Sequence, residues 1–153
     1  MDFEAQARDA GVDLDMALAA VGSYEFAIPV RNLLIVAGSI AWDGARAAYP
    51  GRLGDDLDIS AGQRSARGAG ATILASVHQT LGSLNRISRL IRLTGYVRCA
   101  PDFGDQLQVM NGASDLMLEV FGDAGRHARS AIGLPELPLG ASVEIDSIFH
   151  LAG

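Results

Sequence analysis

The chain has 153 residues, of which 49% are hydrophobic and 20% charged, and its 12 basic and 18 acidic residues give a net charge of −6. This composition is typical of one globular domain, and the negative charge disfavours general attraction to the phosphate backbone of nucleic acids. Every strongly basic residue is an arginine, so lysine Schiff-base chemistry and a P-loop lysine are both excluded.

Further features bear on the cellular setting and on cofactors. No segment reaches the ~20 consecutive apolar residues of a membrane-spanning helix. The N-terminus lacks the basic and apolar regions of a secretion signal, and the single Cys99 cannot form an internal disulfide, so we expect a cytoplasmic protein without a membrane partner. The histidines His78, His127 and His150 lack metal-ligand spacing, and we expect neither a metal nor another cofactor.

The first third of the chain predicts a helix and a hairpin. Helix-forming residues at about 2–10 precede Gly11, which favours a short N-terminal helix or arm. Two extended segments follow, Tyr24–Val30 and Leu33–Ala41, separated by the turn residues Arg31 and Asn32. The long apolar run of the second segment indicates a buried strand.

The middle of the chain predicts a loop followed by a long helix. Residues 43–58 are rich in Gly, Asp and Arg and form the loop, after which Ser60 to Gln63 have the spacing of a capping box. Apolar residues then recur at intervals of three and four until Gly82: Ala66, Ala69, Ile73, Val77 and Leu81. This periodicity predicts an amphipathic helix.

A strand, a helix and two closing strands complete the prediction. Residues 87–97 alternate in polarity, with one face carrying Ile87, Arg89, Ile91, Leu93 and Val97. A second helical stripe ends at Gly122 and consists of Met110, Ala113, Met117 and Val120. The closing strands run over residues 128–132 and 143–148.

The resulting order is strand, strand, helix, strand, helix, strand, strand, which indicates an α+β fold in a single domain over residues 1–153. Two amphipathic helices can cover only one face of a mixed sheet. We therefore expect several copies of the chain to associate through the other face.

The closing strands hold the most informative pattern in the sequence. Ala128-Arg129-Ser130-Ala131 is followed by the turn Leu137-Pro138-Leu139-Gly140 and by Val143-Glu144-Ile145-Asp146. This arrangement predicts Arg129 and Glu144 on neighbouring strands, with a cationic fork facing an acid, as in a small-molecule site.

These segments resemble the RidA (YjgF) family of reactive-intermediate deaminases, and the resemblance extends over nearly the whole chain. It implies a chorismate mutase-like fold that assembles as a homotrimeric barrel with clefts between subunits. The segment Asn111 to Asp115 resembles a longer, less characterised branch of the family.

The resemblance also implies roles for two charged residues. Arg129 matches the arginine that binds a substrate carboxylate in this family. The alternative role for Arg129 is an intersubunit salt bridge. Glu144 matches the glutamate that positions or activates water, and its alternative is an exposed acid paired with an arginine. Just upstream, Arg126 and His127 either add positive potential or belong to a solvated turn.

Further candidate residues are carried over from the same family pattern. Tyr24 matches a site tyrosine, with a half-buried core tyrosine as the alternative, and Ser130 and Ala131 lie next to the arginine. The chain departs from the family at Ala131, where many deaminases have cysteine, and at Ala37-Gly38-Ser39, where they have Ser-Gly-Gln.

Two functions follow: a cofactor-free deaminase of 2-imino or 2-enamino acids, or a trimeric binding protein for a small carboxylated metabolite.

Overall fold

The computed structural model of the protein describes residues 1–18 and 20–153. Within these residues the order of helices and strands is the order predicted from the sequence. The elements are α1 (Phe3–Asp9), β1 (Ala27–Val30), β2 (Leu33–Ile40), α2 (Ile59–Leu81), β3 (Ile87–Arg98), α3 (Gln106–Phe121), β4 (Ala128–Leu134) and β5 (Val143–Leu151).

Helix α2 begins two residues earlier than the predicted capping box implies. The carboxylate of Asp58 accepts a hydrogen bond from the backbone N–H of Ala61 at 2.8 Å and so caps the helix. The Ser60 hydroxyl, predicted as the cap, instead accepts a hydrogen bond from Arg64 one turn later. The helix ends at Gly82 as predicted, because that residue adopts the left-handed conformation with φ of 80°.

The five strands form one mixed sheet in the order β1-β2-β5-β3-β4. Only β3 and β4 are parallel, and the other neighbouring pairs are antiparallel. The prediction that β4 and β5 are neighbours is therefore wrong. The physical reason is the crossover helix α3, which makes β3 and β4 a parallel pair and leaves the other side of β3 for β5.

The two long helices pack on one face of the sheet, here called the helix face, as predicted. Alternate residues of β5 point into this core, including the fully buried Val143, Ile145 and Phe149. On β3 the predicted alternation fails, because Leu90 is fully buried whereas Ile91 is 36% exposed. Irregular pairing with β5 around residues 87–92 shifts the phase of the alternation, as a β-bulge does.

The opposite face, here called the open face, is not covered by any helix or strand of residues 1–18 and 20–153. Ile28, Val30, Ile35 and Ile132 lie there and are each 41 to 50% exposed. Strand β2 was predicted to be buried, but in the single chain its buried residues are only Leu34, Val36 and Ser39. The open face is thus an apolar sheet surface next to polar side chains from β3 and β5.

Candidate functional site

A cavity of about 500 Å³ lies between the segment before β1, the second half of β2 and the turn before β5. Its wall is mainly apolar and aromatic, and its acidic side chains are Glu25 and Glu144. The other lining residues are Leu18, Val21, Tyr24, Phe26, Ala37, Gly38, Ser39, Ile40, Trp42, Thr72, Pro138 and Leu139. An apolar cavity with a few polar groups is the usual form of a small-molecule site.

An irregularity in β2 shapes the floor of this cavity. The pairing of β2 with β5 shifts between Val36 and Ser39, so Ala37 and Gly38 leave the regular ladder. A Cβ atom at Gly38 would lie 2.9 Å from Cδ of Glu144 and 3.0 Å from its Oε2. Glycine at this position therefore leaves room for the Glu144 carboxyl group.

Glu144 is half-buried in β5 and has no hydrogen-bond or ion-pair partner in the described part of the chain. Burial raises the pKa of its carboxyl group, and the nearby charge of Asp146 raises the pKa further. Asp146 lies on the same face, two residues further along β5, and accepts a hydrogen bond from the Tyr96 hydroxyl at 3.0 Å. An unpaired acid with a raised pKa is suited to accept and return a proton.

Tyr24 lies on the cavity wall rather than inside a strand. The first strand begins three residues later, at Ala27, and Tyr24 sits in the bent segment that leads to it. Its side chain is 45% exposed, and its ring packs edge-on against Phe26 at a centroid distance of 6.4 Å. The tyrosine is thus accessible to a molecule in the cavity.

Arg129 is held by polar groups of α3. Its Nη1 donates to Asn111 Oδ1 at 2.9 Å and to Ser114 Oγ at 3.0 Å, and its Nη2 donates to the backbone oxygen of Leu107 at 3.1 Å. All three acceptors are neutral, and no carboxylate of residues 1–18 or 20–153 forms a salt bridge with it. The guanidinium therefore keeps an uncompensated positive charge.

The predicted facing of Arg129 and Glu144 does not occur within one chain. Arg129 pairs with Leu93 of β3, whose side chain points to the helix face, whereas Glu144 pairs with Tyr96 on the open face. Because successive strand residues alternate between faces, the two charged groups lie on opposite sides of the sheet. Strand β3 also separates the two strands that carry them.

Comparison with known proteins places this arrangement in a family. Residues 4–150 match the sequence pattern of the family described as "YjgF/chorismate mutase-like, putative endoribonuclease". The chain belongs to the YjgF family. The resemblance to this family found in the sequence is therefore confirmed.

Individual relatives differ in how closely they match this YjgF-family chain. Protein TCP17 of Trypanosoma cruzi is 37% identical over 142 residues, which span 92% of this chain and 89% of TCP17. The structure of Atu1372, a protein of unknown function from Agrobacterium tumefaciens, is 38% identical with a TM-score of 0.91 and covers 98% of this chain and 92% of Atu1372. RidA from the Antarctic bacterium Psychrobacter sp. PAMC 21119 is 25% identical with a TM-score of 0.62, covering 92% of this chain and 97% of RidA.

The two residues after Arg129 face different environments in this member of the YjgF family. Ser130 points to the open face, where its hydroxyl accepts a hydrogen bond from Arg92 Nη2 at 2.8 Å. Ala131 lies beside Gly95 and packs against the hydrophobic core. Ser39 is 5% exposed, and its hydroxyl donates to the backbone oxygen of Ala37, so little of it is available to a ligand.

Some residues of the site were not singled out by the sequence pattern. Asn111 and Ser114 belong to the segment that drew attention only by its resemblance to one branch of the family. They lie inside α3, and their spacing of three residues is the signal that places both on one helix face. The aromatic wall residues Phe26 and Trp42 carried no signal that separated them from ordinary core residues. Their place in the cavity depends on the tertiary fold.

Two other kinds of feature were not found among the described residues. No three acidic, histidine or cysteine side chains among them are grouped closely enough to hold a metal ion. None of the helices in residues 1–18 and 20–153 has the length and apolar character to cross a membrane.

Proposed function

We propose that this protein is a cofactor-free hydrolase that converts 2-imino and 2-enamino acids into 2-keto acids and ammonia. The observation that carries the proposal is Glu144, a half-buried acid without a partner in the described chain, at the wall of an apolar cavity. Leaving such an acid unpaired costs stability, which favours a role in chemistry over a role in folding.

In the proposed reaction, ionised Glu144 accepts a proton from water as its oxygen attacks the imine carbon. The carbon–oxygen bond forms while the second bond of the carbon–nitrogen double bond opens. The same carboxyl group then returns the proton to nitrogen, which gives a carbinolamine. Ionised Glu144 next takes the hydroxyl proton and passes it to nitrogen, so the carbonyl forms as the carbon–nitrogen bond breaks and ammonia leaves the 2-keto acid. Enamine substrates first take up a proton on carbon to give the imine.

We further propose that Arg129 binds the substrate carboxylate in a homotrimer, next to Glu144 of a neighbouring subunit. Arg129 has an uncompensated charge, and its planar fork matches a carboxylate. In a single chain it lies on the opposite face of the sheet from Glu144, so a shared site needs a second copy. The uncovered apolar open face supports such an association.

The lining of the cavity favours substrates with apolar side chains. Aliphatic and aromatic residues such as Val21, Phe26, Trp42 and Leu139 surround the space next to Glu144. A second carboxylate on the substrate would meet the acids Glu25 and Glu144 and be repelled. The same acids and the net charge of −6 disfavour RNA as a substrate.

The test is ammonia release from imines that an amino-acid oxidase generates in situ. We expect the protein to accelerate ammonia release from the imines of leucine and phenylalanine above the spontaneous rate, and to act much less on the imine of glutamate. The Glu144→Gln variant under the same conditions controls for spontaneous and oxidase-derived ammonia. No acceleration with any imine would contradict the proposed reaction.

A non-catalytic binding protein for a carboxylated metabolite is the second candidate. The observation in its favour is the shortage of polar groups that could orient a substrate, because Ser39 bonds to the backbone and Ala131 packs on the core. This candidate predicts calorimetric binding of 2-keto acids without acceleration of imine hydrolysis.

A further inference from the structure

We propose that Ser114 and His127 are positioning residues that hold the Arg129 guanidinium ready for a carboxylate, through hydrogen bonds that start at a backbone carbonyl. His127 Nδ1 lies 2.6 Å from the backbone oxygen of Gly125, and its Nε2 lies 2.9 Å from Ser114 Oγ. Ser114 Oγ in turn lies 3.0 Å from Nη1 of Arg129. We call these connected hydrogen bonds, from Gly125 through His127 and Ser114 to Arg129, the relay. The inference rests on the proposed role of Arg129 as the carboxylate anchor.

The direction of these hydrogen bonds follows from the groups at the two ends. The Gly125 carbonyl can only accept, so His127 Nδ1 carries the hydrogen and donates it. In the neutral imidazole, Nε2 is then an acceptor, and the Ser114 hydroxyl donates to it. A lone pair of Ser114 Oγ is left to accept the hydrogen bond from Arg129 Nη1–H. Every donor and acceptor in the relay is thereby determined.

The surroundings of His127 favour the neutral form of its imidazole, which the relay requires. Burial lowers the pKa of the imidazole, and although the Gly125 hydrogen bond raises the pKa, the charge of Arg129 lowers it again. Two more arginines, Arg89 and Arg126, line a shallow depression that also borders His127. Asp123, four residues before His127, is paired with Arg126 at 3.1 Å.

The chain of hydrogen bonds determines which edge of the guanidinium remains free. Asn111 and Ser114 use both hydrogens of Nη1, and Leu107 uses one hydrogen of Nη2. Nε has no acceptor among the described residues, and Nη2 has one hydrogen besides the one that Leu107 accepts. The edge formed by Nε and Nη2 is therefore the one left for a carboxylate, which it could bind through two parallel bonds. An arginine held only by neutral acceptors gains orientation without losing its charge.

The first test is the Ser114→Ala variant, with binding of phenylpyruvate measured by calorimetry. Loss of one hydrogen bond to Arg129 is expected to weaken binding about three- to tenfold. In the imine assay the KM should rise by a similar factor with kcat nearly unchanged, because orientation of the carboxylate is lost and Glu144 is not. Ser60→Ala is the matched control, since Ser60 also accepts from an arginine, Arg64, but in α2.

The second test separates the relay from a purely structural role of His127. In the His127→Gln variant the amide oxygen can still accept from Ser114, so binding should remain within about twofold of wild type, whereas His127→Leu should lose about three- to tenfold. Nitrogen chemical shifts from NMR should show the hydrogen of His127 on Nδ1 at neutral pH.

Outcomes for this inference and for the proposed function can be told apart. The relay would be overturned, whatever the catalytic activity, by any of three results. These are a Ser114→Ala variant that binds phenylpyruvate as tightly as the wild type, equal affinities of the two His127 variants, and a hydrogen on Nε2 of His127. Absence of phenylpyruvate binding by the wild type would overturn it as well. Binding that follows the expected order without ammonia release would support the relay and contradict the deaminase.

Discussion

At the scale of single residues, the proposed site depends on two charged groups that have no oppositely charged partner among the described residues. Glu144 is unpaired and partly desolvated, and Arg129 is held by neutral acceptors. Structural charges in proteins are usually paired when they are buried, because desolvation of an isolated charge is costly. Partly buried charges without an oppositely charged partner, such as Arg129 and Glu144, therefore favour a role in binding or catalysis over a structural role.

Glu144→Gln is expected to separate the chemical from the structural role. If Glu144 handles water, the rate of imine hydrolysis should fall about 10²- to 10⁴-fold while binding of 2-keto acids is kept. The rate of the wild type should rise with pH through a pKa above that of an ordinary glutamate, because the ionised form is the base. A fully active variant would remove Glu144 from the mechanism.

The same substitution tests the sign of the electrostatic effect on stability. A carboxyl group whose pKa is raised on folding stabilises the folded state at low pH and loses that contribution as pH rises through its folded pKa. Glu144→Gln should therefore melt at or above the wild-type temperature at pH 7, with the difference vanishing below about pH 4. A lower melting temperature at pH 7 would reveal a charged partner for Glu144.

Gly38→Ala is expected to displace the Glu144 carboxyl group without unfolding the chain. The added Cβ would lie 2.9 Å from Cδ of Glu144, so the side chain must move. A shift of this size should lower the rate of imine hydrolysis by about 10- to 100-fold. Gly104→Ala is the control, since a Cβ there would meet no atom within 4 Å, and equal rates for both variants would contradict the prediction.

Arg129→Ala is expected to weaken binding of 2-keto acids by about 30- to 1000-fold, the range for loss of a partly buried charge pair. Arg129→Lys should recover only part of this affinity, because a point charge cannot supply two parallel hydrogen bonds. Calorimetry measures both values. Binding of wild-type strength by the alanine variant would show that the carboxylate lies elsewhere.

At the scale of elements, the position of each site residue follows from how helices and strands begin and end. The turn before β5 forms part of the cavity wall, and Glu136 in this turn pairs with Arg52 at 2.6 Å and with Arg98 at 3.0 Å. Two arginines from separate segments thus hold the turn that carries Leu139. The bulge in β2 shapes the part of the cavity wall formed by Ala37 and Gly38, next to Glu144.

Asp58→Ala tests where the long helix α2 begins. Loss of the hydrogen bond from Ala61 N–H to Asp58 is expected to lower the free energy of unfolding by about 1 kcal/mol. Ser60→Ala, at the position predicted from the capping-box spacing, should have a smaller effect. Urea denaturation measures both, and a larger loss for Ser60→Ala would place the cap where the sequence pattern had it.

At the scale of the whole molecule, the sheet has one face covered by helices and one face that presents apolar side chains to solvent. Ile28, Ile35 and Ile148 are aligned across β1, β2 and β5 on this open face. Exposed apolar surface of this kind is typical of subunit interfaces. A site shared between subunits would also reconcile the opposite placement of Arg129 and Glu144.

We expect the protein to sediment as a homotrimer at micromolar concentration. Ile35→Glu should weaken the association, because a charge would be buried on the apolar open face. A folded monomeric variant should also lose imine hydrolysis if the site is shared. A wild type that sediments as a stable monomer would contradict both the trimer and the shared site.

By itself, the sequence determined the order of the elements, the ends of α2 and α3 at Gly82 and Gly122, and the resemblance to the YjgF family. Each of these depends on local preferences, such as helical periodicity and the freedom of glycine at a helix end, or on residue patterns along the chain. It also singled out Arg129 and Glu144 as candidate site residues, because their neighbours in the sequence match a family pattern.

Only the tertiary structure decided which strands are neighbours and which face each charged group occupies. The parallel pairing of β3 with β4 places β3 between β4 and β5, and the pairing of Arg129 with Leu93 and of Glu144 with Tyr96 puts the two charged groups on opposite faces. Irregular pairing also exchanges the environments of Leu90 and Ile91. Such pairings join residues far apart in the sequence and depend on crossover helices and bulges, so no local pattern specifies them.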